Sequence, residues 1–225
     1  MDFEEVLNNR RSIRLYKKKL VERDRIYQII NAATLAPSAG NLQSWNFIIV
    51  DDIDVKNQII TAAMQQDWIL NAQIIVICSR PSNTKRFYGK RGEVLYTVQD
   101  CAAAIQNMLL EASNLGLGSC WIGAFDENAI SRILKLPQDV RPQAIITIGY
   151  SDESPVIPKR YAIESLVFHD EYGKRIVDEG FGVMDTSAKS KTKINKGGIF
   201  DIFRRKWKKE WKKLKRVTIF QDYLK

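Results

Sequence analysis

At 225 residues the chain has room for one well-buried domain plus an appendage, and 45% hydrophobic residues is ordinary for a globular protein. No apolar run approaches the ~20 residues that a bilayer span needs, and the acidic start Met1-Asp2-Phe3-Glu4-Glu5 lacks a signal-peptide core, so a cytoplasmic chain is expected. The net charge of +9 is unevenly placed: residues 186–225 hold 14 Lys/Arg against 3 Asp/Glu, leaving 21 basic and 23 acidic residues in 1–185. The body is therefore nearly neutral, which removes the main support for nucleic-acid binding.

Asp2 with Glu5 three residues later reads as a capping box opening a helix to about Asn9. A second helix is expected over Glu22–Leu35, with Ile26, Ile29, Ile30 and Ala33 on one face and Pro37 as its stop. Trp45–Val50 reads as a strand, Asp54–Gln66 as a helix capped by Asp54, and Ala72–Ser79 as a continuous apolar, buried strand. Residues 80–92, with Arg, Pro, Ser, Asn and two Gly, have the composition of a loop. Glu93–Leu115 is Ala-rich and helical, and Gly116 is a natural stop. A strand over Ser119–Gly123, a short helix over Asp126–Leu134 and a strand over Gln143–Tyr150 complete the body. Helices alternating with buried strands give an α/β or α+β class with a central sheet.

Cys78, Cys101 and Cys120 are odd in number and each lies in an apolar segment, which argues against a disulfide framework or a zinc site. One histidine, His169, cannot build a multi-histidine metal site, and a surface or packing role is expected for it. Leu115-Gly116-Leu117-Gly118-Ser119 follows a helix and opens a strand, the reverse of the context a dinucleotide-binding glycine motif requires.

Three domain segments are expected: a body over 1–185, a flexible linker over 186–198 rich in Thr, Ser, Lys and Gly, and a tail over 199–225. In the tail Phe200, Phe203, Trp207, Trp211, Leu214 and Val217 recur at helical spacing. At 100° per residue they fall within about 120° of arc, with nine Lys/Arg on the remaining arc. Such a basic amphipathic segment fits an anionic membrane surface, or docking of its apolar stripe on the body or a partner.

Four segments and one further basic pair bear the chemistry. Arg10-Arg11-Ser12-Ile13-Arg14 places three guanidinium groups and a hydroxyl in five residues, a donor set that suits phosphate oxygens, and Lys159-Arg160 is a second basic pair. Ala36-Pro37-Ser38-Ala39-Gly40-Asn41-Leu42-Gln43-Ser44-Trp45 leads into Phe47-Ile48-Ile49-Val50, and Gln99-Asp100-Cys101-Ala102-Ala103-Ala104-Ile105-Gln106-Asn107-Met108 leads on to Ser119-Cys120-Trp121-Ile122-Gly123. In this order and spacing, over roughly residues 2–175, the segments resemble the FMN-dependent nitroreductase family.

The resemblance implies an α+β, three-layer fold: a central, mostly antiparallel sheet flanked by helices, assembled as a homodimer. It implies FMN as cofactor, NAD(P)H as electron donor, and a small planar acceptor of nitroaromatic or quinone type, exchanged by a ping-pong route. Arg10, Arg11, Ser12, Lys159 and Arg160 would hold the flavin phosphate. Arg14 would stand near the flavin N1 and O2, where a fixed cation stabilises the charge of the reduced ring; its alternative role is a surface ion pair. Pro37, Ser38, Ala39, Asn41 and Gln43 would reach the flavin from the partner subunit. Ser44 stands where the family often has proline. The backbone N–H of Gly123 would face flavin N5, with Ile122 and Ala124 against the ring, and Phe87 and Tyr88 would cover the substrate. Trp45 reads as core packing. No catalytic side chain and no metal is required, because the cofactor carries the chemistry. Flavin-dependent dehydrogenation, dehalogenation and flavin breakdown are alternative branches of the same fold, and a non-enzymatic polyanion-binding or membrane-binding module is the alternative class.

Overall fold

Four strands, Trp45–Val50 (β1), Gln73–Ser79 (β2), Gly118–Ile122 (β3) and Arg141–Gly149 (β4), form one sheet in the order β1-β2-β4-β3. Every neighbouring pair is antiparallel. These features come from a computed structural model that describes residues 1–64 and 66–174. The linker 186–198 and the tail 199–225 lie outside the described residues.

The apolar run in β2 explains the layering. Side chains alternate across a strand, so Ile74, Val76 and Cys78 face one side while Ile75 and Ile77 face the other, and all are fully buried. On the Ile75 side lie Ile26, Ile29 and Ala33 of α2 (Arg23–Thr34) and Cys101, Ala104, Ile105, Met108 and Ala112 of α5 (Thr97–Asn114). On the Ile74 side lie Ile59 and Ile60 of α3 (Ile53–Ala62) and Ile130 of α6 (Glu127–Ile133). This is the expected α+β, three-layer arrangement, with helices covering both faces of an antiparallel sheet. Trp45, 6% exposed, is core packing as expected.

Local signals set most boundaries. The capping box is present in α1 (Phe3–Asn9): the Asp2 carboxylate accepts the Glu5 N–H, and the Glu5 side chain accepts the Asp2 N–H. Gly116 ends α5 at φ 73°, with its N–H on the Ser113 carbonyl and that of Leu117 on the Ala112 carbonyl, the two bonds of a Schellman stop.

Two expectations are corrected. The third helix starts one residue earlier, because Asp52, not Asp54, caps it by accepting the N–H groups of Asp54 and Val55, and it ends at Ala62. Residues 80–92 are not a loop: Pro81–Arg91 is a helix (α4), begun by proline at its first turn and broken at Gly89, which adopts φ 60°. A π-helical turn, Gly92–Tyr96, joins α4 to α5. The Thr84 hydroxyl donates to the Gly92 carbonyl at 2.9 Å and closes this junction. Composition misled there because the polar residues of a solvent-facing helix resemble those of a loop.

The chain divides into two units, Met1–Lys159 and Arg160–Lys225. In the second, Ile163–Ser165 forms a 3-10 turn, Phe168 packs on Tyr172, and His169 is exposed. Among the described residues no helix is long and apolar enough to cross a membrane.

Candidate functional site

The arginine segment is laid along the edge strand β3. Ile13 donates its N–H to the Ser119 carbonyl at 2.9 Å, and Ser12 bridges Ser119 in parallel sense. The Ile13 side chain fills the space above Gly118: a Cβ there would lie 2.8 Å from Ile13 Cγ1. Tyr16 anchors the segment from beneath, its buried hydroxyl donating to the Ile13 carbonyl at 2.8 Å and sharing a hydrogen bond with Thr147 Oγ1 at 2.8 Å. Beyond it, Lys17 donates to the Tyr150 carbonyl and Asp152 to that of Leu15, each at 2.9 Å. The Glu153 carboxylate accepts the backbone N–H groups of both Arg14 and Leu15.

Pinned in this way, Arg10, Ser12 and Arg14 cluster about Cys120. Burial, and to a smaller degree the Glu153 charge, push the Cys120 thiol up, while the Arg14 charge, a hydrogen bond with Ser12 and the Arg10 charge pull it back down. Arg10, Arg11 and Ser12 are half-buried and Arg14 is exposed. The Arg11 guanidinium turns back to donate to the Arg10 carbonyl at 2.7 Å. At the other end of β3, Gly123 and Ala124 are exposed, and a Cβ at Gly123 would meet nothing within 4 Å. The Ile122 side chain is buried with Val76 and Ile145 in the core, so Ile122 offers the surface only its backbone.

The loop before β1 is a tightly built turn. Gly40, Asn41 and Gln43 all have positive φ, at 56°, 55° and 48°. For the two non-glycine residues this conformation costs roughly 1–2 kcal/mol each, so neighbouring contacts must hold it. Ser38 Oγ accepts the Gln43 N–H at 3.1 Å, and the Gln43 amide donates to Asn41 Oδ1 at 3.1 Å. Asp100 of α5 accepts the Ala39 N–H at 2.9 Å. Pro37, Asn41 and Gln43 are exposed, and Ser38 and Ala39 half-buried.

Phe87 and Tyr88 project from α4, at 63% and 40% exposure. Tyr88 meets Tyr96 edge-on, with ring centroids 5.2 Å apart, and its hydroxyl occupies the space where a Cβ on Gly40 would sit. Tyr88 and the loop of residues 37–43 are thus one packed feature.

The sheet order separates this feature from the arginine segment. The start of β1, the end of β2, the start of β4 and the end of β3 share one end of the antiparallel sheet. Loop 37–43 precedes β1 on one edge, and Gly123 follows β3 on the other. Three inter-strand spacings of ~4.8 Å put the two edge strands about 14 Å apart across the sheet. Lys159 closes the first unit and Arg160 opens the second; both are exposed.

Comparison with known proteins identifies the family. The family model described as "Nitroreductase family" matches residues 7–66 and 55–150. The chain belongs to the nitroreductase family. A relative from Archaeoglobus fulgidus, named "Putative NADH dehydrogenase/NAD(P)H nitroreductase", is 35% identical over 150 residues, covering 64% of this chain and 83% of that one. The "FMN reductase (NADPH)" of Bacillus subtilis is 24% identical over 204 residues, covering 83% and 80%. A solved nitroreductase family protein from Clostridium novyi NT superposes with a TM-score of 0.63 at 30% identity, covering 78% of this chain and 97% of that one.

Three supporting residues, Asp100, Tyr16 and Glu153, were not among the site residues expected from the sequence. Asp100 was legible as a lone acid in an otherwise apolar helical stretch. Tyr16 and Glu153 gave no local signal, because each acts through a contact more than 130 residues away in sequence.

Proposed function

We propose that the chain is an FMN-dependent oxidoreductase that takes electrons from NAD(P)H and delivers them to a small planar acceptor of nitroaromatic or quinone type. The observation that carries this reading is the edge of β3, where a basic, hydroxyl-bearing segment stands at one end and an open glycine at the other. Ser119 and Gly123 are four residues apart, about 13 Å of extended chain, a length that suits an elongated molecule with a phosphate at one end and a flat ring at the other. The residues fit FMN: Arg10 and Ser12 offer charge-assisted and neutral donors for the phosphate, and Gly123 leaves its backbone approachable. The family resemblance, not the fold, adds Arg11, Lys159 and Arg160 to the proposed phosphate set.

When bound, FMN supplies reversible two-electron chemistry. The chain's part is to hold and shield it. Arg14 places a fixed positive charge beside β3, where it favours added negative charge on a bound ring. The Gly123 N–H and the exposed backbone of Ala124 offer hydrogen bonding with no side chain in the way. Donor and acceptor would use the same open face in turn, and no acid or base side chain is required because the cofactor carries the chemistry.

The proposed unit is a homodimer with two sites. Pro37, Ser38, Ala39, Asn41 and Gln43 stand across two strands from Gly123 in one chain, which suits the role that the family resemblance implies for them, serving a site on a second copy. Tyr88, packed against Gly40, travels with that loop and brings Phe87 with it as cover. The tail over 199–225 is proposed to meet an anionic membrane surface; its sequence pattern alone supports this.

Purified full-length protein tests the reading. The expected result is a yellow protein with flavin absorption bands, one FMN per chain, a sedimenting mass of about twice the 25.9 kDa chain, and oxidation of NADH or NADPH that stops when flavin is removed. A colourless protein that takes up no added FMN would falsify the enzyme, and a flavin-loaded monomer would sink the shared site.

A further inference from the structure

Asp100 is a carboxylate with 5% of its surface exposed, in the first turn of α5, which also turns Thr97, Cys101 and Ala104 inward. Burying an acid is costly unless donors face it. Two do: the Ala39 N–H at 2.9 Å on one oxygen, and the Ser44 hydroxyl at 3.5 Å on the other. Both partners are neutral and both belong to the segment that frames the left-handed turn at Gly40, Asn41 and Gln43. Ser44 is itself fixed, since its carbonyl accepts the Arg80 N–H at 2.8 Å beside the β1–β2 ladder. Asp100 therefore grips the loop at both ends, once at its start and once at its return to the sheet.

We propose that Asp100 is a positioning residue that presents loop 37–43, in its left-handed form, to the flavin site of the second copy. The inference rests on the shared-site reading above. Burial pushes the Asp100 carboxyl up, and the Ala39 N–H and the Ser44 hydroxyl pull it back down. Because both partners are neutral, an uncharged acceptor of the same shape can replace it. Asparagine keeps an oxygen for the Ala39 N–H and offers its amide to Ser44 Oγ; alanine leaves the Ala39 N–H without its partner. The left-handed turn then has lost its tie to the rigid helix, and the polar groups of Ser38, Asn41 and Gln43 have lost their fixed direction.

The experiment compares full-length Asp100→Asn and Asp100→Ala by FMN titration of the apoprotein, following quenching of flavin fluorescence, with sedimentation as the check on assembly. The expected result is a dimer in both cases, with FMN affinity close to the unmodified chain for Asp100→Asn and about tenfold or more weaker for Asp100→Ala. Wild-type affinity in a dimeric Asp100→Ala protein overturns the proposal, as does an Asp100→Asn dimer as weak as Asp100→Ala.

Mixed dimers of Asp100→Ala chains with Arg10→Ala chains separate this inference from the reading beneath it. If the loop serves the other copy, one of the two sites keeps an intact loop and an intact Arg10, and each mixed dimer binds one FMN tightly. No tight site overturns the shared-site reading instead. Should Asp100→Ala fail to fold, hydrogen exchange in the unmodified protein decides: slow exchange at Ala39 is expected, and exchange as fast as in a free loop overturns the proposal.

Discussion

The backbone N–H of Ile13 donates to the Ser119 carbonyl at 2.9 Å, and this bond fixes which way the arginine segment faces. Ile13 is 6% exposed and plugs the space above Gly118, so its neighbours Ser12 and Arg14, on the opposite side of extended chain, turn away from the core. The donors of the proposed phosphate site are aimed by a buried isoleucine.

Arg10→Ala and Arg160→Ala are each expected to weaken FMN binding about ten- to hundredfold, the worth of one charge-assisted hydrogen bond at roughly 1.5–3 kcal/mol. The apo fold should survive, since both side chains stand outside the core. Titration with FMN and with riboflavin checks this. Equal affinity for the two ligands means that the phosphate is not held there.

Tyr16→Phe removes a buried hydroxyl from between the Ile13 carbonyl and Thr147 Oγ1. The expected loss is about 1–3 kcal/mol of stability, because a buried acceptor is left without its donor. A urea midpoint unchanged from that of the unmodified protein contradicts the anchoring role.

The three cysteines are buried and unpaired as disulfides. Burial pushes the Cys78 and Cys101 thiols from 9.0 up to about 12 and raises Cys120 as well. Native protein at pH 8 is expected to resist thiol reagents that label all three cysteines after denaturation. The unfolded chain ionises its thiols first, so their contribution to stability is complete below about pH 9 and is lost as pH rises toward 12. Tyr16, raised in the same sense by burial, adds to the loss. Rapid labelling of the folded protein, or stability that climbs through this range, would count against the buried placement.

The tail is expected to carry the full chain onto anionic vesicles, with each basic residue near the surface contributing about 1 kcal/mol. Binding should fall steeply with salt. Co-sedimentation of the full chain beside one truncated after Asp185 is the measurement. Equal pelleting of the two, or indifference between anionic and neutral lipid, excludes the anchor.

What the amino-acid sequence determined by itself was local. The Asp2–Glu5 capping box, the Gly116 stop, the β1 strand over Trp45–Val50 and the apolar run of β2 each follow from interactions within a few residues or from the period of burial. The family resemblance was legible for a similar reason, since it rests on ordered short segments. Tertiary structure decided everything that depended on which strands meet. It set β1 and β3 on opposite edges of the sheet, so that loop 37–43 and Gly123 stand apart in one chain. It turned Ile122 inward and Trp121 outward on one strand, gave the polar stretch 81–91 enough support to be a helix, and brought Asp100 to Ala39 and Glu153 to Leu15. These contacts join residues 61 and 138 positions apart in sequence, and neither propensity nor periodicity acts over such distances; only the closing of the sheet brings the partners within hydrogen-bonding reach.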